Sequence, residues 1–318
     1  MLDVWSLRVL IEVSERGSFS AAAASLSMTQ PAISRQIAGL EQRLRVRLFR
    51  RVPRGVVPTP AGSVAVDLAR DVLARLRAME ASLDAYAGLD AGQLRLSAFA
   101  SANTSFVPEA IRQFSDAHPG VTLSLVQADP SGPLPAVREG RVDLALVTAW
   151  ELFADPHAAK GASDRSQLTL QRQDGVELVP LLDEDLRLAL SRDHPLARQR
   201  RVRLADLRTE TWIEGAHPDC LGPIVPLAEA LGDQPRVAFV CDDWNGKQAL
   251  VAAGVGISLV PSLASGAIHS GVVLRRTTPA LPTRRLYAAV AEPPFRPPAV
   301  TAMLAVLTAL ATGHERSE

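Results

Sequence analysis

The chain has little of what marks secreted, membrane-spanning or disulfide-rich proteins. Its 318 residues include only two cysteines, two lysines and 4% aromatic residues. Two cysteines cannot build the disulfide framework of a small secreted domain. No uninterrupted apolar stretch approaches about 18 residues, so the sequence predicts no membrane-spanning helix. Because the N-terminus also lacks the basic start and apolar run of a signal peptide, we expect a cytoplasmic protein without membrane contact.

Signatures of catalysis are also missing. The sequence contains no nucleophile elbow and no phosphate-binding loop, and its six histidines are scattered. We therefore expect no catalytic residues, no metal ligands and no resident cofactor. An enzyme on an α/β scaffold is the least favoured of the function classes that the rest of the sequence leaves open.

Charge is unevenly distributed along a chain whose formal net charge is zero. Residues 1–60 contain nine arginines and four acidic residues, so this segment carries +5 and the remainder −5. A neutral protein with its positive charge gathered at one end is expected to bind a polyphosphate there. The excess of arginine over lysine, with abundant alanine, is typical of a GC-rich bacterial genome.

Residues 17–44 contain two helical patterns joined by a short turn. Ser20 is predicted to cap an alanine-rich helix, and Thr29 to cap a second helix with Pro31 in its first turn. In the second helix, apolar residues recur at intervals of four, three and four, which predicts one buried face made of Ile33, Ile37, Leu40 and Leu44. The polar residues off that face are of the types that read base edges and bind phosphates in a major groove.

A preceding helix and a following arginine-rich segment complete a helix-turn-helix with a two-stranded wing. The motifs are Gly17-Ser18-Phe19-Ser20-Ala21-Ala22-Ala23, Thr29-Gln30-Pro31-Ala32-Ile33-Ser34-Arg35, Leu48-Phe49-Arg50-Arg51 and Thr59-Pro60-Ala61-Gly62. With these motifs, residues 1–60 resemble the winged helix-turn-helix of the LysR-type transcriptional regulators. The resemblance implies promoter DNA as a partner, with RNA polymerase as a further candidate. The implied DNA-binding residues are Thr29, Gln30, Pro31, Ser34, Arg35, Arg51 and Arg54.

A different apolar period follows the wing. Residues spaced three and four apart predict a narrow stripe on a helix from about residue 59 to 89. The stripe consists of Leu68, Val72, Leu76, Met79 and Leu83. Such a helix packs either on its own domain or against a second copy of the chain. The narrowness of the stripe favours the second copy, and the resemblance implies a homodimer through this helix and a homotetramer of such dimers.

From about residue 93, strand and helix patterns alternate, which indicates a parallel α/β sheet. The motifs Glu139-Gly140-Arg141-Val142-Asp143 and Val251-Ala252-Ala253-Gly254-Val255-Gly256 extend the resemblance to the family's effector domain, built like a periplasmic binding protein. The predicted fold class is therefore α/β multidomain. Its parts are a winged helix-turn-helix at 1–60, a linker and dimerisation helix at 61–92, and a two-lobed effector-binding domain at 93–312. Lobe I takes in about 93–150 and 280–312, lobe II about 178–279, and a polar insertion at about 151–177 forms a mobile loop or a lid.

The effector site can be placed from general rules for α/β sheets. Ligands bind beyond the carboxyl ends of strands, often at helix N-termini. The segment Ser101–Ser105 follows the first strand, and either caps the next helix or holds the polar end of an effector, for which the resemblance singles out Ser101. The candidate effector-binding residues are Ser101, Asn103, Thr104, Asp129, Ser131, Trp212, Glu214, His217 and Asp243. Their carboxylates argue against a plain anion unless an arginine, a metal or an amine on the ligand intervenes.

Two further functions stay open. Cys220, close to His217, is a candidate redox-sensing thiol, whereas Cys241 ends a strand pattern and is interpreted as a core residue. Residues 93–300 alone would suit a solute-binding protein, although the basic N-terminal segment argues against that function. The favoured interpretation is a sequence-specific DNA-binding transcriptional regulator whose activity is modulated by a small-molecule effector of unknown identity.

Overall fold

The computed structural model describes most of the chain. The described residues are 2–53, 55–86, 92–127, 132–152, 172–173, 175–215, 224–293 and 296–315. They divide into two compact units, Met1–Leu83 with Arg138–Arg141, and Asp84–Val137 with Val142–Glu318. Several predictions lie outside the described residues, namely Arg54, Asp129, Ser131, His217, Cys220 and most of the insertion at 151–177.

The first unit is built around a bundle of three short helices. Its elements are α1 (Val4–Arg16), α2 (Phe19–Ser25), α3 (Gln30–Leu44), β1 (Phe49–Val52), β2 (Gly55–Pro58) and α4 (Pro60–Tyr86). Small and branched side chains from all three helices share one core, with Ala22 and Ile33 fully buried. The methyl side chains of α2 permit this close approach, as the alanine-rich pattern predicts.

Three details of these helices differ from the sequence prediction. Helix α2 is capped by Ser18, whose Oγ accepts a hydrogen bond from Ala21 N at 3.4 Å, and Ser20 already lies inside the helix. Thr29 precedes α3 as predicted, but its side chain makes no capping bond. Leu44 is 40% exposed rather than buried, because α3 ends there and Arg45 turns the chain with a φ of 55°.

The second unit begins with a six-stranded sheet covered by helices. Its elements are β3 (Gly92–Ala98), α5 (Phe106–Ala117), β4 (Val121–Gln127), α6 (Pro133–Arg138), β5 (Leu144–Thr148), α7 (Ala149–Leu152), β6 (Arg172–Gln173), β7 (Val176–Glu184), β14 (Arg284–Ala291) and α10 (Pro298–Glu315). The strand order is β4-β3-β5-β14-β7-β6. Helices α5 and α10 supply Phe114 and Met303 to a core that is buried against the sheet.

The second lobe has two smaller sheets. Its elements are β8 (Leu186–Ser191), β9 (Arg201–Arg203), β10 (Thr211–Glu214), α8 (Ile224–Leu231), β11 (Arg236–Val240), α9 (Trp244–Ala252), β12 (Ser258–Pro261) and β13 (Val272–Thr278). The strands form a four-stranded sheet in the order β12-β8-β13-β9 and a parallel pair of β10 with β11. The chain passes between the lobes twice, at Asp185 and again at 279–283.

Strand pairing changes two expectations about this unit. The first sheet is mixed rather than wholly parallel, since β14 returns from the second lobe and pairs antiparallel with both β5 and β7. The sequence also placed the start of lobe II at about residue 178. Strand β7 instead belongs to the first sheet, because its apolar residues pack beside β14, so the second lobe begins at β8.

Candidate functional site

Helix α3 presents a polar face above a buried apolar one. Ile33, Ile37 and Leu40 are at most 3% exposed and pack in the core of the first unit. On the other side, the predicted DNA-binding residues of the helix are exposed, apart from a half-buried Ser34; the exposed ones are Thr29, Gln30, Pro31 and Arg35. A polar helix N-terminus supported from behind is the geometry with which a helix-turn-helix enters a major groove.

The wing is a two-stranded antiparallel hairpin whose first strand carries two exposed arginines. Arg50 and Arg51 both lie on β1 and are exposed. The hairpin is attached to the helices by Val56 N, which donates to the carbonyl oxygen of Gly17 at 2.8 Å. Gly55 has a φ of 140° and lies so close to that carbonyl that a Cβ would overlap it, so the position requires glycine.

The predicted stripe on α4 lies on the side facing away from the rest of the first unit. Its exposed members are 48% to 60% accessible, and Leu76 alone is half-buried; the exposed members are Leu68, Val72, Met79 and Leu83. On the other side of the helix, Val66, Ala69 and Leu73 are at most 5% exposed and belong to the unit's own core. Packing within the unit therefore accounts for a different face of α4 and leaves the predicted stripe uncovered.

Ser101, the leading effector candidate, lies in a buried charged network. Arg284 Nη2 donates to Ser101 Oγ at 2.7 Å and is 2.5 Å from the Glu184 carboxylate. The side chains of Arg284 and Glu184 are 1% and 0% exposed. The guanidinium carbon also lies 4.8 Å from the centre of the Phe99 ring. Burial raises the pKa of Glu184, while Arg284 and the backbone N–H of Leu263 oppose that rise.

This network lies next to both chain connections between the lobes. Glu184 ends β7 and Arg284 begins β14. Glu184 Oε2 accepts from Leu263 N at 3.0 Å, and Ser105 Oγ donates to the Leu263 carbonyl at 2.5 Å. Neither Ser101 nor Ser105 caps a helix with its side chain, so the capping alternative is wrong for both. No pattern in the sequence points to Arg284 or Glu184, because they lie 100 residues apart in the chain and meet only in the folded unit.

A cleft of about 250 Å³ opens between the lobes of the second unit. Its described lining is Ala100, Asn103 and Thr104 from the first lobe and Asp242, Asp243, Trp244 and Asn245 from the second. The structure thus brings together three of the predicted effector residues. Asn103 Nδ2 donates to the Ala98 carbonyl at 3.2 Å, which orients the amide. Within the described residues, the buried atoms Asn103 Oδ1 and Trp244 Nε1 have no hydrogen-bond partner.

Trp212 and Glu214 lie in the second lobe but not in this lining. Trp212 is fully buried in the lobe's core, and Glu214, at the end of β10, is 2% exposed. The prediction that both contact an effector is therefore not supported, because Trp212 packs in the lobe's core and the Glu214 side chain is almost fully buried. Burial raises the pKa of Glu214 to about 8, and the positive charge of Lys247 opposes that rise. Lys247 is itself only 5% exposed, and the sequence analysis overlooked it.

The described part of the chain offers little for metal or thiol chemistry. None of its histidine, cysteine and carboxylate side chains form a group that could hold a metal ion. Cys241 is half-buried, and its Sγ donates to the backbone oxygen of Asp243 at 3.4 Å. In the same ranges, no helix is both long and apolar enough to cross a membrane.

Comparison with known families assigns both parts of the chain. A model of the bacterial regulatory helix-turn-helix proteins of the lysR family matches residues 5–63. A model of the LysR substrate binding domain matches residues 87–312, which is more than half of the chain. The chain belongs to the LysR family of transcriptional regulators. This LysR-type regulator therefore combines a DNA-binding helix-turn-helix with an effector-binding domain, and the predicted fold class is confirmed.

Relatives match the regulator over most of its length. It is 30% identical over 306 residues to the probable HTH-type transcriptional regulator LrrA of Synechococcus elongatus, covering 96% of each chain. It is 28% identical to a hydrogen peroxide-inducible genes activator of Dickeya chrysanthemi, covering 83% of this chain and 80% of that one.

Solved structures support the same fold. The LysR family regulator CbnR has a TM-score of 0.65 at 24% identity, covering 98% of this chain and 99% of the other. A full-length OxyR variant from Pseudomonas aeruginosa has a TM-score of 0.70 at 20% identity, covering 96% and 95%. CbnR has also been solved in complex with its target DNA.

Proposed function

We propose that this regulator binds promoter DNA as a homo-oligomer and that a small molecule in the cleft of its second unit modulates transcription. The observation that carries the proposal is the polar N-terminal face of α3, exposed above a fully packed apolar face. Positive charge gathered in residues 1–60 supports it, because phosphate contacts supply much of the affinity for DNA. The proposal gives the chain no catalytic role and places it in the cytoplasm, with its DNA.

The side chains on this surface have different roles in the proposal. Gln30 and Ser34 contact base edges, since amide and hydroxyl groups can pair with them. Arg35 and Arg51 contact phosphates or the minor groove, and the same role is proposed for Arg54. The complex of CbnR with its target DNA supports this use of the fold.

Binding to the intergenic DNA upstream of the chain's own gene tests this assignment. Gln30→Ala is expected to weaken binding and relax discrimination at one operator position, because a good base contact contributes about 1–3 kcal/mol. Gln42→Ala is the matched control, since Gln42 is exposed on the same helix but near its C-terminal end. Equal losses in the two variants would contradict base reading by Gln30.

Self-association is proposed to use two surfaces, because a tetramer made from dimers needs a second, different interface. The α4 stripe forms the dimer. The second surface is proposed at the sheet edges β4 and β11, where the exposed apolar side chains are Leu125, Val126, Val237, Phe239 and Val240. Exposed apolar strands at an edge favour pairing with another chain. Light scattering after chromatography should show Val240→Asp as a dimer and the unaltered chain as a tetramer.

The cleft favours an effector that carries an amine. Two carboxylates, Asp242 and Asp243, line it, and no arginine, lysine or histidine is part of its described lining. The amide oxygen of Asn103 adds an acceptor that the described residues do not satisfy. A carboxylate ligand would be repelled by this arrangement, whereas an ammonium group would be attracted and could lie against the Trp244 ring.

Thermal shift measurements with matched panels of small amines and carboxylates test the effector class, because a ligand selective for the folded state raises its stability. Asp243→Asn should abolish the shift given by an active amine. It preserves the acceptor that binds Gly246 N at the start of α9 and removes only the charge. Asp233→Asn, an exposed position outside the cleft lining, is the control. Stabilisation by carboxylates alone would contradict the amine proposal.

A further inference from the structure

Glu41 connects the recognition helix α3 to the base of the wing. Its Oε1 accepts hydrogen bonds from two consecutive backbone amides, Leu48 N at 2.8 Å and Phe49 N at 3.2 Å. Its Oε2 lies 2.9 Å from Arg47 Nη1. The Glu41 side chain is 10% exposed, whereas that of Arg47 is 84% exposed. The contacts that hold the chain in place are therefore the two backbone amides, and the arginine is an exposed addition.

The segment that Glu41 holds is short and leads directly into the wing. Four residues, 45–48, separate the end of α3 from the start of β1, and Phe49 is the first residue of that strand. Arg50 and Arg51 follow immediately and are exposed. The direction in which these arginines leave the protein is thus determined close to the carboxylate of Glu41.

The start of α4 holds the same segment from its other side. Thr59 N donates to the Leu48 carbonyl at 2.9 Å, and Thr59 Oγ1 donates to the Arg47 carbonyl at 2.7 Å. At Gly62 a Cβ would overlap the Leu48 carbonyl, so helix and segment touch directly. Leu48 itself is fully buried. The α4 contacts hold the carbonyls of the segment, and Glu41 alone among the described side chains holds its amides.

We propose that Glu41 is a positioning residue for DNA binding, which sets the orientation of the wing relative to α3 so that both contact DNA together. Charged acceptors make the stronger hydrogen bonds to backbone amides, so this carboxylate is well suited to hold the strand. The inference rests on the proposed roles of α3 and the wing in DNA binding. Without an acceptor oxygen within reach of these amides, the wing arginines should lose their phosphate contacts while α3 still reads its bases.

Three substitutions at Glu41 separate the amide contacts from the charge. Glu41→Gln preserves Oε1 and removes the charge, so it should retain wing binding. Glu41→Asp preserves the charge but is one methylene shorter. Glu41→Ala removes both the acceptor oxygen and the charge. These two variants should lose hydroxyl-radical protection at the wing. They should also lower the slope of log affinity against log salt by about 1.8, because two wing arginines lose phosphate contacts that contribute about 0.9 each. Arg47→Ala, which removes only the exposed ion pair, should preserve the wing footprint.

The readouts distinguish positioning from a general loss of structure. Base discrimination at the α3 positions of the operator should be unchanged in Glu41→Asp, whereas a misfolded domain would lose it. If Glu41→Ala does not fold, the Glu41→Asp and Glu41→Gln variants still test whether the amide contacts position the wing. A wild-type wing footprint in Glu41→Asp, or its loss in Glu41→Gln, would overturn the proposal. An unaltered salt slope in the Arg51→Ala/Arg54→Ala double variant would instead overturn the role of the wing itself.

Discussion

The helix-turn-helix surface and the cleft proposed to bind the effector are assembled over very different chain distances. In the first unit, Glu41 reaches Leu48 across seven residues and Thr59 reaches Arg47 across twelve. In the second unit, Arg284 reaches Ser101 across 183 residues and Ser105 reaches Leu263 across 158. A surface built from one stretch of chain leaves a readable pattern in the sequence, whereas a cleft built from distant segments does not.

The two regions also differ in whether their charged side chains are exposed or buried. The arginines of the reading surface, such as Arg35 and Arg51, are exposed, where they can release counterions from phosphates. In the second unit, Arg284, Glu184 and Glu214 are at most 2% exposed. Exposed charges can contact a partner, whereas buried charges affect the stability of the fold. We therefore expect substitutions in the first region to weaken DNA binding, and substitutions in the second to change the free energy of unfolding.

The largest effect is expected from the apolar stripe that pairs two reading surfaces. In the Val240→Asp background, which lacks the second proposed surface, Leu68→Glu places a charge in the exposed stripe, so the chain should become monomeric and lose about 10²–10⁴-fold in operator affinity, because two linked surfaces bind far more tightly than one. Sedimentation velocity and a DNA titration measure the two consequences. Glu80→Lys, an exposed polar position on the same helix, is the control. A Leu68→Glu/Val240→Asp chain that remains dimeric would remove the stripe from the interface.

The next effect concerns two neighbouring arginines in the second unit. Arg284→Ala leaves Glu184 buried without its cation and should destabilise the unit by about 3–5 kcal/mol. Arg285→Ala removes an exposed pair with Asp183 and should cost about 0–1 kcal/mol. Urea unfolding of the full chain measures both. Equal costs would show that burial does not separate these two pairs.

A pH dependence is expected from Glu214. Its pKa is raised from 4.5 to about 8, so between these values the folded chain holds a proton that the unfolded chain has lost. The free energy of unfolding should therefore fall as pH rises through this window, by up to about 1.4 kcal/mol per pH unit. Glu214→Gln has no titrating carboxyl and should lack this slope. Urea titrations at several pH values compare the two chains, and parallel pH profiles would count against a protonated Glu214.

The smallest effect belongs to a single exposed arginine. Arg35→Ala should weaken operator binding and lower its salt slope by about 0.9, which is the contribution of one phosphate contact. Arg203→Ala, an exposed arginine in the second unit, should leave the slope unchanged. Fluorescence anisotropy over a range of salt concentrations measures both. An unchanged slope in Arg35→Ala would end its role as a phosphate contact.

The same difference in chain distance explains which features the sequence could predict. The period of Ile33, Ile37 and Leu40 predicted a buried face that the structure confirms, because a helix face is a local property. Asn103, Thr104 and Asp243, three of the predicted effector residues, line one cleft, whereas Trp212 is a core residue. A position at the end of a strand predicts that a residue lies near a cleft. It does not predict whether the side chain faces the cleft or the core.

What the sequence determined by itself was the order of the parts: a basic reading domain, a striped helix and a two-lobed α/β region. These follow from charge, period and spacing, which need no partner elsewhere in the chain. Other contacts exist only in the folded chain: Ser101 is bonded to Arg284 at the lobe connections, Glu214 is buried beside Lys247, and Glu41 accepts hydrogen bonds from the backbone amides at the base of the wing. Those roles depend on groups that come together only when the chain has folded.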